Sequence, residues 1–238
     1  MPYTYEHLSW DSEFFGFKVG KLIGEIPDLN DLKDIEQLLL GEGSKLTYFP
    51  VEKLLPGFVH ESRSLVFSMV DKKSTFLKDI NPDVPFHPSI TFYHSAMDTA
   101  RLLELAVLGG VFSRYYVDER IDKDKYAEMY RLMLLNSLQK QMALETIVYM
   151  VEGEMAGFLT LCEKNKRGDL GLMAVDTKFR GKGIGKALIL AGEHWLGKQG
   201  YQEIQIVTQG ENIPACRLYE SHGYHVDEMK YFYHVWTV

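Results

Sequence analysis

A strand-like apolar run, LGLMAV (Leu170–Val175), passes through DTKF into RGKGIGK (Arg180–Lys186) and then directly into the helix-like ALILAGEHW. Strand, glycine loop and helix in unbroken succession restrict the fold more than any other segment. Gly181, Gly183 and Gly185 lie within five positions, and each adds conformational entropy that folding must overcome. Such a loop bends tightly and leaves its backbone N–H groups exposed, and the positive end of the following helix faces them. The backbone from Gly181 through Lys182, Gly183, Ile184 and Gly185 to Lys186 is therefore a candidate anion site. The spacing fits neither G-x-x-x-x-G-K-[ST] nor G-x-G-x-x-G, which argues against a P-loop NTPase or a dinucleotide-binding Rossmann enzyme.

Bulk properties limit what kind of anion this is. With 238 residues, 46% apolar and 13% aromatic, the chain can bury the core of one domain or two smaller ones. A net charge of −7 argues against nucleic-acid binding, so an anionic ligand is held by a local arrangement. The start, MPYTYEHLSW, lacks a basic region followed by an apolar one, and two distant cysteines, Cys162 and Cys216, do not make a disulfide framework. The expected location is cytoplasmic. The longest apolar stretch, LLELAVLGGVF, is broken by Glu104 and is too short to span a bilayer, so no membrane segment is expected.

Periodicity divides the chain unequally. In the first part FKVGKLIGEI, KLTYFP and SLVFSMV read as strands and DLNDLKDIEQLLL as a helix. DKKSTFLKDINPDVPFHPS has charge, prolines and no period, and reads as a linker. A boundary near residue 88 gives a smaller N-terminal α/β domain, 1–88, and a larger domain, 89–238. In the latter ITFYH, LETIVYMV, FLTLCEK, LGLMAV and EIQIVT read as strands, and DTARLLELAVL, KDKYAEMYRLMLLNSL, the post-loop segment and IPACRLYESH as helices. YHVDEMKYFYHVW reads as a final strand pair.

At this point the residues carry a resemblance. VDTKFRGKGIGKAL resembles the acetyl-CoA signature R/Q-x-x-G-x-G/A of the GNAT N-acetyltransferases, with Arg180, Gly183 and Gly185 at the fixed positions. NIPACRLYESHGY is similar to that family's second signature through Asn212, Ala215, Leu218, Tyr219, Gly223 and Tyr224. Thr177 stands where the family usually has proline. The resemblance implies an α/β (α+β) GNAT fold: a mixed, mostly antiparallel twisted sheet flanked by helices, with a V-shaped splay between two parallel central strands. It also implies acetyl-CoA as co-substrate. The loop amides would take the pyrophosphate, the backbone of Met173, Ala174 and Val175 would pair with pantetheine, and Asn212 would bind the pantetheine arm from the other side. Tyr219 would protonate the departing thiolate as general acid. The plain alternative is that Tyr219 only packs between helix and sheet. Cys216 reads as a small buried residue, since no motif supplies a base to activate it. His222 and His225 lack further ligands nearby, so no metal is expected.

LSWDSEFFGFKVGKL and FSRYYVDERIDKDKYAEMYRLMLLNSL further resemble the two-part acetyltransferases of dTDP-linked 4-amino-6-deoxy sugars, the dTDP-fucosamine acetyltransferases, whose products feed polysaccharide biosynthesis. That likeness implies a nucleotide-sugar acceptor in a cleft between the domains, with Arg114 near the diphosphate and Phe15, Tyr115 and His234 lining the site. It also implies a carboxylate relaying the amine proton within GFVHESRSLVF, where Glu61 is the only acid, slightly out of register. Relatives of this kind are commonly homodimers. Two other classes stay open: a GNAT acting on a protein N-terminus, aminoglycoside or amino acid, and a non-catalytic acyl-CoA sensor in which Tyr219 is idle.

Overall fold

The computed structural model describes residues 3–24, 32–55, 64–81, 83 and 86–238, which fall into two compact units. The first comprises 1–73, 113–120 and 229–238; the second, 74–112 and 121–228. The first therefore takes in two segments that a single cut near residue 88 assigns to the larger part.

The first unit begins with β1 (Tyr3–His7), α1 (Ser9–Phe15), β2 (Val19–Gly24), α2 (Leu32–Glu42) and β3 (Leu46–Val51). It continues into β4 (Leu65–Asp79) and is completed by the short helix α4 (Arg114–Val117) and the end of β10 (His225–Thr237). The strand order is β1-β2-β3-β10-β4. Strands β1 and β2 are antiparallel, β2 and β3 parallel, and β3 and β10 antiparallel with Tyr48 opposite His234 and Phe49 opposite Tyr233. Alternation along each strand gives the sheet two different faces. On one, Phe49, Tyr233 and Val235 join Leu22, Ile35 and Leu39 in an apolar core. On the other, the alternate β10 residues Phe232, His234 and Trp236 meet the Arg114 guanidinium of α4, the Tyr48 ring of β3 and the Phe17 ring respectively. Helix α1, which the sequence pattern did not separate from the strands, ends at Gly16, whose φ of +77° is a left-handed cap.

The second unit contains the rest of β4, then β5 (Ile90–Phe92), α3 (Thr99–Gly109), α5 (Lys123–Leu138), β6 (Glu145–Val151), β7 (Glu154–Lys164), β8 (Arg167–Val175), α6 (Ile184–Lys198), β9 (Glu203–Gln209) and α7 (Ile213–Ser221). Its order is β4-β9-β8-β7-β6-β5. Leu102, Leu105 and Leu134 of α3 and α5 pack with Val148, Phe158 and Ala174 on one sheet face. Leu188, Ile189 and Leu196 of α6 pack with Ile147, Leu159 and Leu170 on the other. Helices thus cover both faces of a mixed, mostly antiparallel sheet, as the expected fold requires.

Two expectations are corrected. Residues 71–79, read as linker, are the second half of the 15-residue strand β4. Lysines at 72, 73 and 78 hide the alternation, yet Phe76 and Leu77 are buried, and Lys78 is neutralised by the wholly buried Glu193 at 2.8 Å. The final strand pair is instead one 13-residue strand, β10.

Candidate active site

Strands β8 and β9 pair in parallel only from Gly168–Ile204 to Leu170–Ile206. Among the described residues β8 then continues to Val175 with no further partner on β9, so the two strands part and leave the backbone of Met173, Ala174 and Val175 open on that side. On the other side β8 keeps its antiparallel register with β7, Met173 against Leu159 and Val175 against Gly157. The register shifts at Thr160, whose Oγ1 accepts a hydrogen bond from Leu172 N–H at 2.7 Å.

The glycine loop follows. Gly181 and Gly183 have φ of +75° and +78°, conformations that a side chain strains, and a Cβ on either would point into open space. Gly183 is the N-cap of α6, and the loop from Gly181 to Gly183 is exposed. A helix N-terminus ringed by accessible amides fits an anionic group. Gly185 has a different purpose. Its Cβ would stand 3.2 Å from Leu218 Cδ2, so this glycine allows α6 and α7 to pack closely. Arg180 Nε donates to Val175 O at 3.2 Å and ties the loop to the strand end. Lys182 and Lys178 lie over the Phe179 ring at 5.2 and 5.1 Å.

Asp176, absent from the expected set, is the hinge of this arrangement. Its carboxylate accepts from Lys178 N at 2.9 Å and pairs with Arg101 of α3, while its own N–H donates to Ala156 O at 2.9 Å. The backbone bond from Lys178, aided by Arg101, holds its pKa below the ordinary carboxylate value. An Asx turn directly after an apolar strand was the available signal.

Asn212 caps α7, accepting from Ala215 N at 3.4 Å and donating to Thr208 Oγ1 at 3.3 Å. Two turns on, Tyr219 is 4% exposed, its ring edge-on to Phe76 at 5.5 Å and 6.2 Å from Tyr224. Its hydroxyl donates to no acceptor among the described residues, and burial, with Cys216 alongside, pushes its pKa well above the ordinary phenol value. The phenol therefore holds its proton throughout the physiological range. Tyr224 is fixed by a 3.0 Å bond to Glu193. Tyr219, Ile184, Met173, Val175 and Phe179 belong to the same packed cluster on one face of the sheet.

The remaining expected residues lie elsewhere. Glu61 falls outside the described residues. Arg114, Tyr115, Phe15 and His234 are all in the first unit, where Phe15 and Tyr115 stack at 6.4 Å. His234 is completely buried; its Nδ1–H donates to Asp118 Oδ2 at 2.6 Å, and Trp236 Nε1 donates to the same oxygen at 2.8 Å. Burial lowers the His234 pKa more than Asp118 restores it, so the imidazole is neutral. Among the described residues no group of three or more His, Cys, Asp or Glu side chains is placed to hold a metal ion, and no helix is long and apolar enough to cross a membrane.

Comparison with known proteins agrees with this geometry. Residues 110–224 match the family described as Acetyltransferase (GNAT) family. The spore coat polysaccharide biosynthesis protein SpsD of Bacillus subtilis is 32% identical over 139 residues, 58% of this chain and 48% of that protein. Human N-acetyltransferase 8B is 36% identical over 74 residues, 31% of this chain and 32% of the relative, so the chain spans less than half the length of either. A solved structure from Staphylococcus epidermidis, titled a functionally unknown conserved protein, superposes with a TM-score of 0.66 at 18% identity, covering 98% of this chain and 90% of that one. A GCN5-related N-acetyltransferase from Sphaerobacter thermophilus gives 0.61 at 14% identity, covering 98% and 76%.

Proposed function

We propose, from the match of residues 110–224 to the GNAT acetyltransferase family, that this chain transfers acetyl from acetyl-CoA to the 4-amino group of a dTDP-4-amino-4,6-dideoxy-hexose. The observation that carries the transferase reading is Tyr219: a buried phenol with no acceptor among the described residues, packed in one cluster with the end of β8 and the start of α6. Acetyl-CoA, when bound, supplies an activated acyl group on sulfur. Gly181–Lys186 would hold its pyrophosphate and the open β8 backbone its pantetheine amides. Tyr219 keeps a proton on Oη throughout the physiological range and would share it with the sulfur as the carbon–sulfur bond of the tetrahedral intermediate breaks. Asp176 and Glu193 position these groups: the first fixes the loop to the strand, the second holds Tyr224 beside the tyrosine.

The acceptor assignment has separate support. LSWDSEFFGF and FSRYYVDE are not needed for a glycine-loop transferase, and a curated relative matched over 58% of this chain is named for polysaccharide biosynthesis. Mass spectrometry of acetyl transfer to a set of dTDP-4-amino-4,6-dideoxyhexoses tests it. Product with at least one of them is expected; transfer only to peptides or free amino acids would remove the sugar assignment and leave the transferase.

A further inference from the structure

Five buried polar atoms of the first unit have no hydrogen-bond partner among the described residues: Tyr5 Oη, Asp71 Oδ1, Ser113 Oγ, Arg114 Nε and His234 Nε2. Unmet buried groups are costly, and native folds seldom gather several without something to satisfy them. Asp71 and His234 both feel the charge of Arg114, so these three polar groups share one neighbourhood. The Arg114 guanidinium is enclosed by the rings of Tyr48, Tyr115 and Phe232 at 4.9, 4.6 and 4.8 Å. The fold accounts for only part of their bonding capacity. Arg114 Nη2 donates to Tyr115 Oη at 2.6 Å, and Asp118 fixes His234 through Nδ1, which leaves Nε2 with a lone pair.

We infer that Asp71, Arg114 and His234 form a recognition site for an aminated pyranose ring. Asp71 and His234 accept from its amine and hydroxyl groups, Arg114 Nε donates to a sugar oxygen, and the aromatic walls cover its C–H faces. The inference rests on the amino-sugar reading above and deepens it, assigning Asp71 a binding role and giving Arg114 the sugar rather than the diphosphate. Asp71 is 7% exposed and His234 completely buried, so both are desolvated before any ligand arrives. The nearby formal charges are Arg114 and Lys73 against Asp71, Asp118 and Asp11, with no positive excess. That is too little to hold two phosphates in a largely dry enclosure, whereas a neutral amine and hydroxyls need only the donors and acceptors present.

Calorimetry on the full chain with three probes tests this: a methyl glycoside of 4-amino-4,6-dideoxy-D-galactose, its 4-hydroxy counterpart, and dTDP. The wild type is expected to bind the amino glycoside about 10-fold or more tightly than the hydroxy one, and Asp71→Ala to erase that preference while changing dTDP affinity less than about twofold. Removing an unpaired buried carboxyl leaves the fold intact, and the wild-type preference is a test that needs no variant. Equal wild-type affinity for the two glycosides, a preference unchanged in Asp71→Ala, or an equal loss of dTDP binding would each overturn the inference. Turnover of a dTDP-amino-sugar without Asp71 dependence sinks this site alone; Asp71-dependent glycoside binding without turnover sinks the enzymatic reading alone.

Discussion

The two candidate sites present different open groups. Around the glycine loop the carboxylates are paired, Asp176 with Lys178 N and Arg101 and Glu193 with Lys78 and Tyr224, while the open groups are backbone amides, the Tyr219 hydroxyl and Arg101 Nε. Around Arg114 the backbone is engaged in β3, β4 and β10, and the open groups are side-chain atoms. The first region is a scaffold prepared for a ligand recognised by its phosphates and amides, which any sequence with suitable backbone conformation can bind. The second is built for recognition by identity, where each side chain must be the right one.

The comparison breaks first if Tyr219 is not the reactive group of the second unit. Tyr219→Phe keeps the ring packed against Phe76 and removes only the hydroxyl, so kcat should fall by ~10²–10⁴-fold with KM for acetyl-CoA unchanged. Near wild-type kcat at saturating substrates would make the residue structural.

Backbone recognition is tested next by Gly183→Asp. The Cβ meets nothing within 4 Å, so the effects are strain at a φ of +78° and a negative charge where an anion is to be held. Acetyl-CoA affinity by calorimetry should drop on the order of 100-fold while circular dichroism stays native. Gly183→Ala separates the terms, because it carries the strain without the charge. Equal affinity for wild type and the Asp variant would remove the loop from the site.

This contrast also explains what was legible in the sequence. The loop, its helix and α7 are contiguous, and their chemistry resides in glycine spacing and caps, so a linear reading finds them. Arg114, Asp71, Tyr48 and His234 come from α4, β4, β3 and β10, and only the sheet register that sets Tyr48 against His234 brings them together. Asp71 was hidden further because the charges of DKKSTFLKD suppress its strand signal. Helix α1 was lost because seven residues are too few to show a period. Glu193 did leave a mark, an acid among the buried face residues Ile189 and Leu196, which reads as a buried ion-pair partner once Lys78 is placed on a strand.

A saturated side chain should be expensive to disturb. Glu193→Gln leaves the Lys78 ammonium, 22% exposed, without its counter-charge and weakens the hold on Tyr224. Unfolding free energy from urea titration should fall by about 2 kcal/mol, below the cost for a fully buried pair because water reaches Lys78. A change under about 0.5 kcal/mol would show that the pair adds little and that Tyr224 is held by packing alone.

The last comparison is the sharpest, because Asp71 and Asp176 should respond to pH with opposite signs. Burial, opposed by Arg114 and Lys73, pushes the Asp71 pKa up from 3.8 to about 7. A raised carboxyl pKa means that the folded state holds the proton more tightly, so the contribution is complete below about pH 4 and is lost as pH rises towards 7. The shift alone corresponds to roughly 4 kcal/mol, and partial access to water brings the expected change nearer 2 kcal/mol. Asp176 is held below its ordinary value, first by Lys178 N–H and then by Arg101, so its contribution is present above the ordinary carboxylate pKa and is lost as pH falls. The stability of wild type relative to Asp71→Asn should therefore fall between about pH 4 and pH 8, and relative to Asp176→Asn it should rise between about pH 2 and pH 5. Other titrating groups cancel in each difference. A flat Asp71 curve would mean that its carboxyl is already paired, and the open carboxylate oxygen that sets this site apart from the glycine loop would be lost with it.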